Sequence, residues 1–175
     1  MLKLIRLYSK LVSWSERLAP ILPPLALRLL LAWEFGESGY EKYTGTNWFA
    51  DLSFPFPLNL VPAEISWQLS TWLELLGSVA LVLGLATRFF SISLIILTTV
   101  AIASVHWPEH WNTLAELLRG YRLVDEDSDG FGNYKLPLIY LVMFLPLLFG
   151  GAGKLSLDYW LSRFVCFHCR QAGNH

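Results

Sequence analysis

"FFSISLIILTTVAIASV", residues 89–105, passes without a single charged side chain. An apolar stretch approaching ~20 residues is what an α-helix needs to cross the ~30 Å hydrocarbon core of a bilayer. Three further segments approach that length, at 22–40, 65–86 and 136–153. The last is bracketed by Lys135 and Lys154 and contains Pro137 and Pro146, which neighbouring helices in a bundle can accommodate. The first two are less pure, carrying Arg28, Glu34, Glu37 and Glu74. The whole chain of 175 residues is 54% hydrophobic, 15% aromatic and 15% charged, with a mean hydropathy of +0.45. That composition departs from a soluble domain and predicts an integral membrane, all-α protein. Nucleic acid is not an expected partner.

The flanks complete this picture. In residues 1–19, Lys3, Arg6, Lys10 and Arg17 form one stripe and Leu4, Leu7, Leu11, Trp14 and Leu18 another. Such spacing predicts an amphipathic helix lying on a membrane surface, ended by Pro20, Pro23 and Pro24. A cleaved signal peptide is disfavoured, because the charges run through the segment. Positive charge collects in the N-terminal segment, at Arg88 and in the tail with Lys154, Arg163 and Arg170. These regions should face the cytoplasm, putting both termini there and the 41–64 and 107–134 loops outside. The reading is therefore a 1–19 interfacial helix, a 20–161 four-helix transmembrane bundle and a 162–175 cytoplasmic tail, in a bacterial inner membrane. A short interfacial helix is expected over 108–120 on the outer side, opened by Pro108 and closed by Gly120.

Ionisable side chains inside a bilayer are costly and usually face a partner or a wet cavity. Glu34, Glu37 and Glu41 recur at spacings of three and four, on one face of the first helix. Arg28 lies ~9 Å below Glu34 and is expected to meet Glu74 of the antiparallel second helix. Arg28, Glu34, Glu37, Lys42, Glu74 and His106 together suggest an inward polar pocket that could hold a quinone headgroup or relay protons. The alternative is that Arg28 and Glu74 form an ion pair that only fixes packing, while Glu37 and Lys42 reach for the interface.

Three clusters could hold metal. "HWPEHW" (106–111) offers His106, Glu109 and His110, donors suited to zinc or copper, or else plain interfacial histidines. "CFHCRQAGNH" offers Cys166 and Cys169, a pair able to chelate a soft metal or cycle between dithiol and disulfide, or else a reduced, loose tail. "DEDSDG" places Asp125, Asp127 and Asp129 at the first, third and fifth positions of a calcium loop, with Gly130 at the sixth. The twelfth position, Leu136, lacks the bidentate carboxylate. That leaves a weak calcium site or a solvated turn.

Two stretches resemble the DoxX family of small four-helix membrane proteins. "LRLLLAWEFGESGYEKY" (27–43) has an arginine early in its helix and Gly39 and Lys42 at the far end, and "ELLGSVALVLGLATR" (74–88) repeats the family's Glu-Leu-Leu-Gly run. "GAGKLSLDYWL" (151–161) is similar to the family's ending. The resemblance implies respiratory or thiol redox chemistry, as in a subunit of a thiosulfate:quinone oxidoreductase. Its HvfX type implies instead a non-catalytic role beside copper-binding peptide maturation enzymes. The expected function is a quinone-linked or proton-coupled redox accessory subunit, with copper homeostasis as the alternative. Expected partners are the bilayer, a soluble redox or peptide-maturation enzyme, and a second copy of the chain.

Overall fold

The computed structural model describes residues 2–126 and 128–172, with side chains described for 3–126 and 128–165. Among these residues there are seven α-helices and no strand. They are α1 (Leu2–Leu18), α2 (Leu22–Thr44), α3 (Ala63–Leu83), α4 (Thr87–Ala101), α5 (Leu114–Arg119), α6 (Lys135–Gly150) and α7 (Leu157–Ala172), and α4 continues through a π turn at Ile102–His106. The longer helices α2, α3, α4 and α6 pack side by side, α2 and α4 each touching both α3 and α6. Leu31, Ala32, Phe35, Leu81, Leu94, Phe144 and Leu147 form the core. Glycines let the backbones close in. A Cβ on Gly39 would stand 3.0 Å from that of Glu74, and one on Gly77 would stand 3.1 Å from Leu94 Cδ1.

Outward faces are as apolar as the core, with Trp33, Leu76, Val79, Ile92, Ile96 and Phe149 exposed. Thr87–His106 is long and apolar enough to cross a membrane, with a mean hydropathy of 2.0. Only 17% of its most apolar window is buried inside the fold, unlike the core helix of a soluble protein. The α1 and α2 pair meets the same standard jointly, bent by 48° at the Pro20 break. The other helices fall short for visible reasons: α3 carries Glu64 and Glu74, and α6 is an apolar helix of 16 residues.

One end of the bundle is tied by a clasp built from all three stretches that carry the family resemblance. Helix α3 stops at Gly84 in the left-handed region (φ +65), where Leu85 N–H donates to Ala80 O at 2.9 Å and Gly84 N–H to Leu81 O at 3.2 Å. That is a Schellman ending. The next helix starts at once, so its first N–H groups need outside acceptors. Asp158 of α7 supplies them: Oδ1 accepts from Ala86 N–H at 2.7 Å and Oδ2 from Thr87 N–H at 2.8 Å. Asp158 N–H also donates to Gly84 O at 2.9 Å. Arg28, 1% exposed, comes in from α2 and donates from Nη2 to Leu155 O at 2.6 Å.

The expected Arg28–Glu74 pair is therefore corrected. In the antiparallel register Gly39 faces Glu74, which leaves Arg28 lower down, against Gly84. The outer short helix also differs. It begins at the Thr113 cap, where Thr113 Oγ1 accepts from Glu116 N–H and the Glu116 carboxylate accepts in return. This reciprocal cap satisfies the first turn, whereas the segment after Pro108 is drawn away by a bond from Glu109 N–H to Gly130 O at 2.9 Å. Beyond residue 162 the backbone continues as α7 to Ala172.

Gly84→Ala is expected to cost at least about 2 kcal/mol, since its Cβ would fall 1.7 Å from Arg28 Nη1 at a positive φ. Gly150→Ala, with nothing within 4 Å, should gain about 0.5–1 kcal/mol. Thermal unfolding of the two variants in one detergent checks the ordering.

Candidate functional site

A cavity of about 530 Å³ opens at the opposite end of the bundle, between α2, α3, α4 and the start of α6. Its lining is mainly apolar, with the polar groups collected on α2 and α3. Glu74, its side chain only 3% exposed, is held by Lys42 Nζ at 2.7 and 3.0 Å. The same ammonium donates to Ser38 Oγ at 2.7 Å, so its hydrogens all have acceptors. Helical geometry puts Glu34, Ser38 and Lys42 on one stripe, one turn apart. Glu34 accepts from the Tyr140 hydroxyl of α6. Glu37 and Glu41, expected on the same inward face, are exposed, and the cavity lining does not include them. At 100° per residue they fall on the far side of Glu34 from Ser38 and Lys42.

His106 lines the cavity at the end of the π turn. Its Nδ1 lies 2.6 Å from Asn133 Oδ1 and its carbonyl accepts from Asn133 N–H at 3.1 Å. With Asn133 Oδ1 as acceptor, Nδ1 carries the hydrogen of this bond. A π turn re-aims the residues after it and recurs at functional sites.

The 45–62 loop covers the cavity with aromatic rings. Phe49, 9% exposed, meets Trp67 at 5.0 Å and Phe54 at 5.2 Å, both edge to face, and Trp48 stands 6.0 Å from Trp67. Asn47 anchors the loop, accepting from Phe49 N–H at 2.9 Å and donating to Glu64 at 2.8 Å. Of the expected pocket residues, Glu34, Lys42, Glu74 and His106 come together, while Arg28 belongs to the clasp. Sequence reasoning did not include Tyr140, Ser38, Asn133 or the roof. Tyr140 could have been noticed as a polar-tipped ring in an otherwise apolar helix.

Among the described residues the candidate metal donors do not converge. His106 turns to Asn133, while Glu109 and His110 are exposed. Among the described residues no three His, Cys, Asp or Glu side chains come together. The side chains of Cys166 and Cys169, and Asp127 altogether, lie outside the described residues. In the acidic loop the expected first and fifth calcium ligands are taken by an internal cation. Arg122 donates from Nη2 to Asp125 at 2.5 Å and to Asp129 Oδ1, from Nη1 to Asp129 Oδ2 at 2.9 Å, and from Nε to Gly132 O at 2.9 Å. The forked bond from Arg122, joined by Phe131 N–H, holds the Asp129 carboxyl down from its ordinary 3.8 to about 2.

The described residues thus form a helical bundle with apolar outward faces and a buried ion pair beside a cavity. The chain belongs to the DoxX family, a membrane-associated family whose match covers residues 24–107, the helices that build most of the cavity. It is 47% identical over 136 residues to an uncharacterized protein of Haemophilus influenzae (strain ATCC 51907 / DSM 11121 / KW20 / Rd), covering 77% of this chain and 80% of that one. No solved structure matches it.

Two outcomes test the site's electrostatics. Lys42→Met, which strands Glu74, should lower the unfolding free energy by roughly 3–5 kcal/mol, whereas Lys42→Met with Glu74→Leu should be neutral or stabilising by about 1–4 kcal/mol. Reversible unfolding in mixed micelles reads both. In the loop, the depressed carboxyl contributes stability that is complete above 3.8 and lost as the pH falls through about 2. An NMR titration should place Asp129 near 2, and near its ordinary value in Arg122→Gln.

Proposed function

We propose that this DoxX protein is a four-helix inner-membrane protein, spanning with α2, α3, α4 and α6, whose cavity takes a quinone headgroup on behalf of a soluble redox partner. Charge supports the orientation. Lys3, Arg6, Lys10, Arg17, Arg88, Lys154 and Arg163 gather at the clasp end and would face the cytoplasm, while the acidic loop lies at the other. Helices α1 and α7 flank the clasp end and would lie along the membrane surface.

The observation that carries the reading is the Lys42–Glu74–Ser38 group in an apolar cavity beside Glu34 and Tyr140. A quinone carbonyl could accept from Lys42 in exchange for the Ser38 bond. Glu34 and Tyr140 form a pair across which a proton can pass. Electrons would come from the partner enzyme. His106 engages Asn133, and Asp125 and Asp129 engage Arg122, so the cavity supports a function better than the copper alternative does.

The test is quinone binding by the purified protein. Wild type should bind a benzoquinone, and the stable double variant Lys42→Met, Glu74→Leu should bind it at least tenfold more weakly with its helix content intact. Equal affinity in the two proteins would remove the polar group from the site.

A further inference from the structure

The way into the cavity narrows what can occupy it, given the quinone-binding reading on which this inference rests. On the outer side the 45–62 loop lays Phe49 over the cavity, buried and held edge to face between Trp67 and Phe54, beside Trp48, which lines the cavity and is 43% exposed. From the core side it is closed by Phe35, itself 5% exposed. The lining is open at a different place. Leu69 of α3 and Ile96 of α4 both line the cavity and yet are 63% and 59% exposed on the outside of the bundle. Val105, on the π turn, lines it and is 43% exposed.

These side chains frame a gap between α3 and α4 on the outward, apolar side. Ile96 lies about 14 Å along the helix from Thr87, near the midpoint of the Thr87–His106 segment. In a spanning helix that is hydrocarbon depth, where water-soluble molecules are excluded. Inside the gap, Leu73 and Leu97 continue the apolar path toward Lys42 and Glu74.

We infer that the ligand enters sideways from the bilayer, between α3 and α4, and that it is a lipid-soluble molecule. Its small carbonyl-bearing head reaches Lys42, while its hydrocarbon tail stays in the gap between Leu69 and Ile96. The occupant class is thus a long-tailed quinone and not a water-soluble cofactor. The apolar gap contributes affinity in proportion to the tail area it covers, which a tailless, water-soluble molecule forgoes.

Full-length protein in lipid nanodiscs tests this with two probes, a decyl-tailed benzoquinone and the same head without the tail, each corrected for partition into the lipid. The tailed probe should bind at least tenfold more tightly. Leu69→Trp and Ile96→Trp, which fill the gap, should slow its association at least tenfold. Val142→Trp, outward on α6 and outside the cavity lining, should leave the rate unchanged. Leu69→Ala and Ile96→Ala, which widen the gap, should leave the rate unchanged or raise it, and they guard against a folding defect in the larger variants. Tail-independent affinity, or equal rates in the rim variants and Val142→Trp, would overturn lateral entry while leaving quinone binding intact. Failure of wild type to bind either probe would overturn both.

Discussion

The carboxylate of Asp158 holds the first turn of α4 from outside. Helices α3 and α4 follow each other across Gly84, Leu85 and Ala86 with no room for a cap of their own. The first N–H groups of a helix need acceptors from outside it, and here one carboxylate supplies two of them. The same segment that carries this carboxylate receives the Arg28 guanidinium, which fixes α2 against the same turn. The height of α2 against α3 is thereby set at one end, and the consequence appears at the other, where Lys42 arrives opposite Glu74 and not a turn away.

That pair is an expensive thing to bury, and nothing about stability requires it. Apolar replacements of similar size would pack as well. The pair stands next to an apolar cavity, with Ser38, Glu34 and Tyr140 at hand, and that placement is what the proposed quinone reading rests on. The arrangement also separates two jobs that charged residues do in one bundle. Arg28 and Asp158 organise backbone ends, while Lys42 and Glu74 present a fixed dipole to whatever enters.

Much of this was legible in the sequence, for reasons specific to each feature. The uncharged run at 89–105 and the proline-broken start of α2 announce themselves through composition and periodicity, and both emerge as helices. Glu34, Lys42, Glu74 and His106 were recognisable because ionisable groups in apolar helices need company. The partner of Arg28 was not, since it is a backbone carbonyl 127 positions away, and carbonyls leave no trace in a sequence. Glu37 was misplaced because spacings of three and four tell which residues share a face without telling which side of that face turns inward. The "DEDSDG" motif misled by omission: the cation that binds it, Arg122, stands just before the motif and is covalently part of the chain.

Asp158 belongs to α7, and this orders the protein's assembly during synthesis. Helices α2, α3 and α4 precede it in the chain, so the joint between α3 and α4 is made before the carboxylate that caps it. The local bonds of Gly84 and Leu85 can close the turn on their own, but Ala86 and Thr87 gain their acceptor only once the first turn of α7 packs back against Gly84.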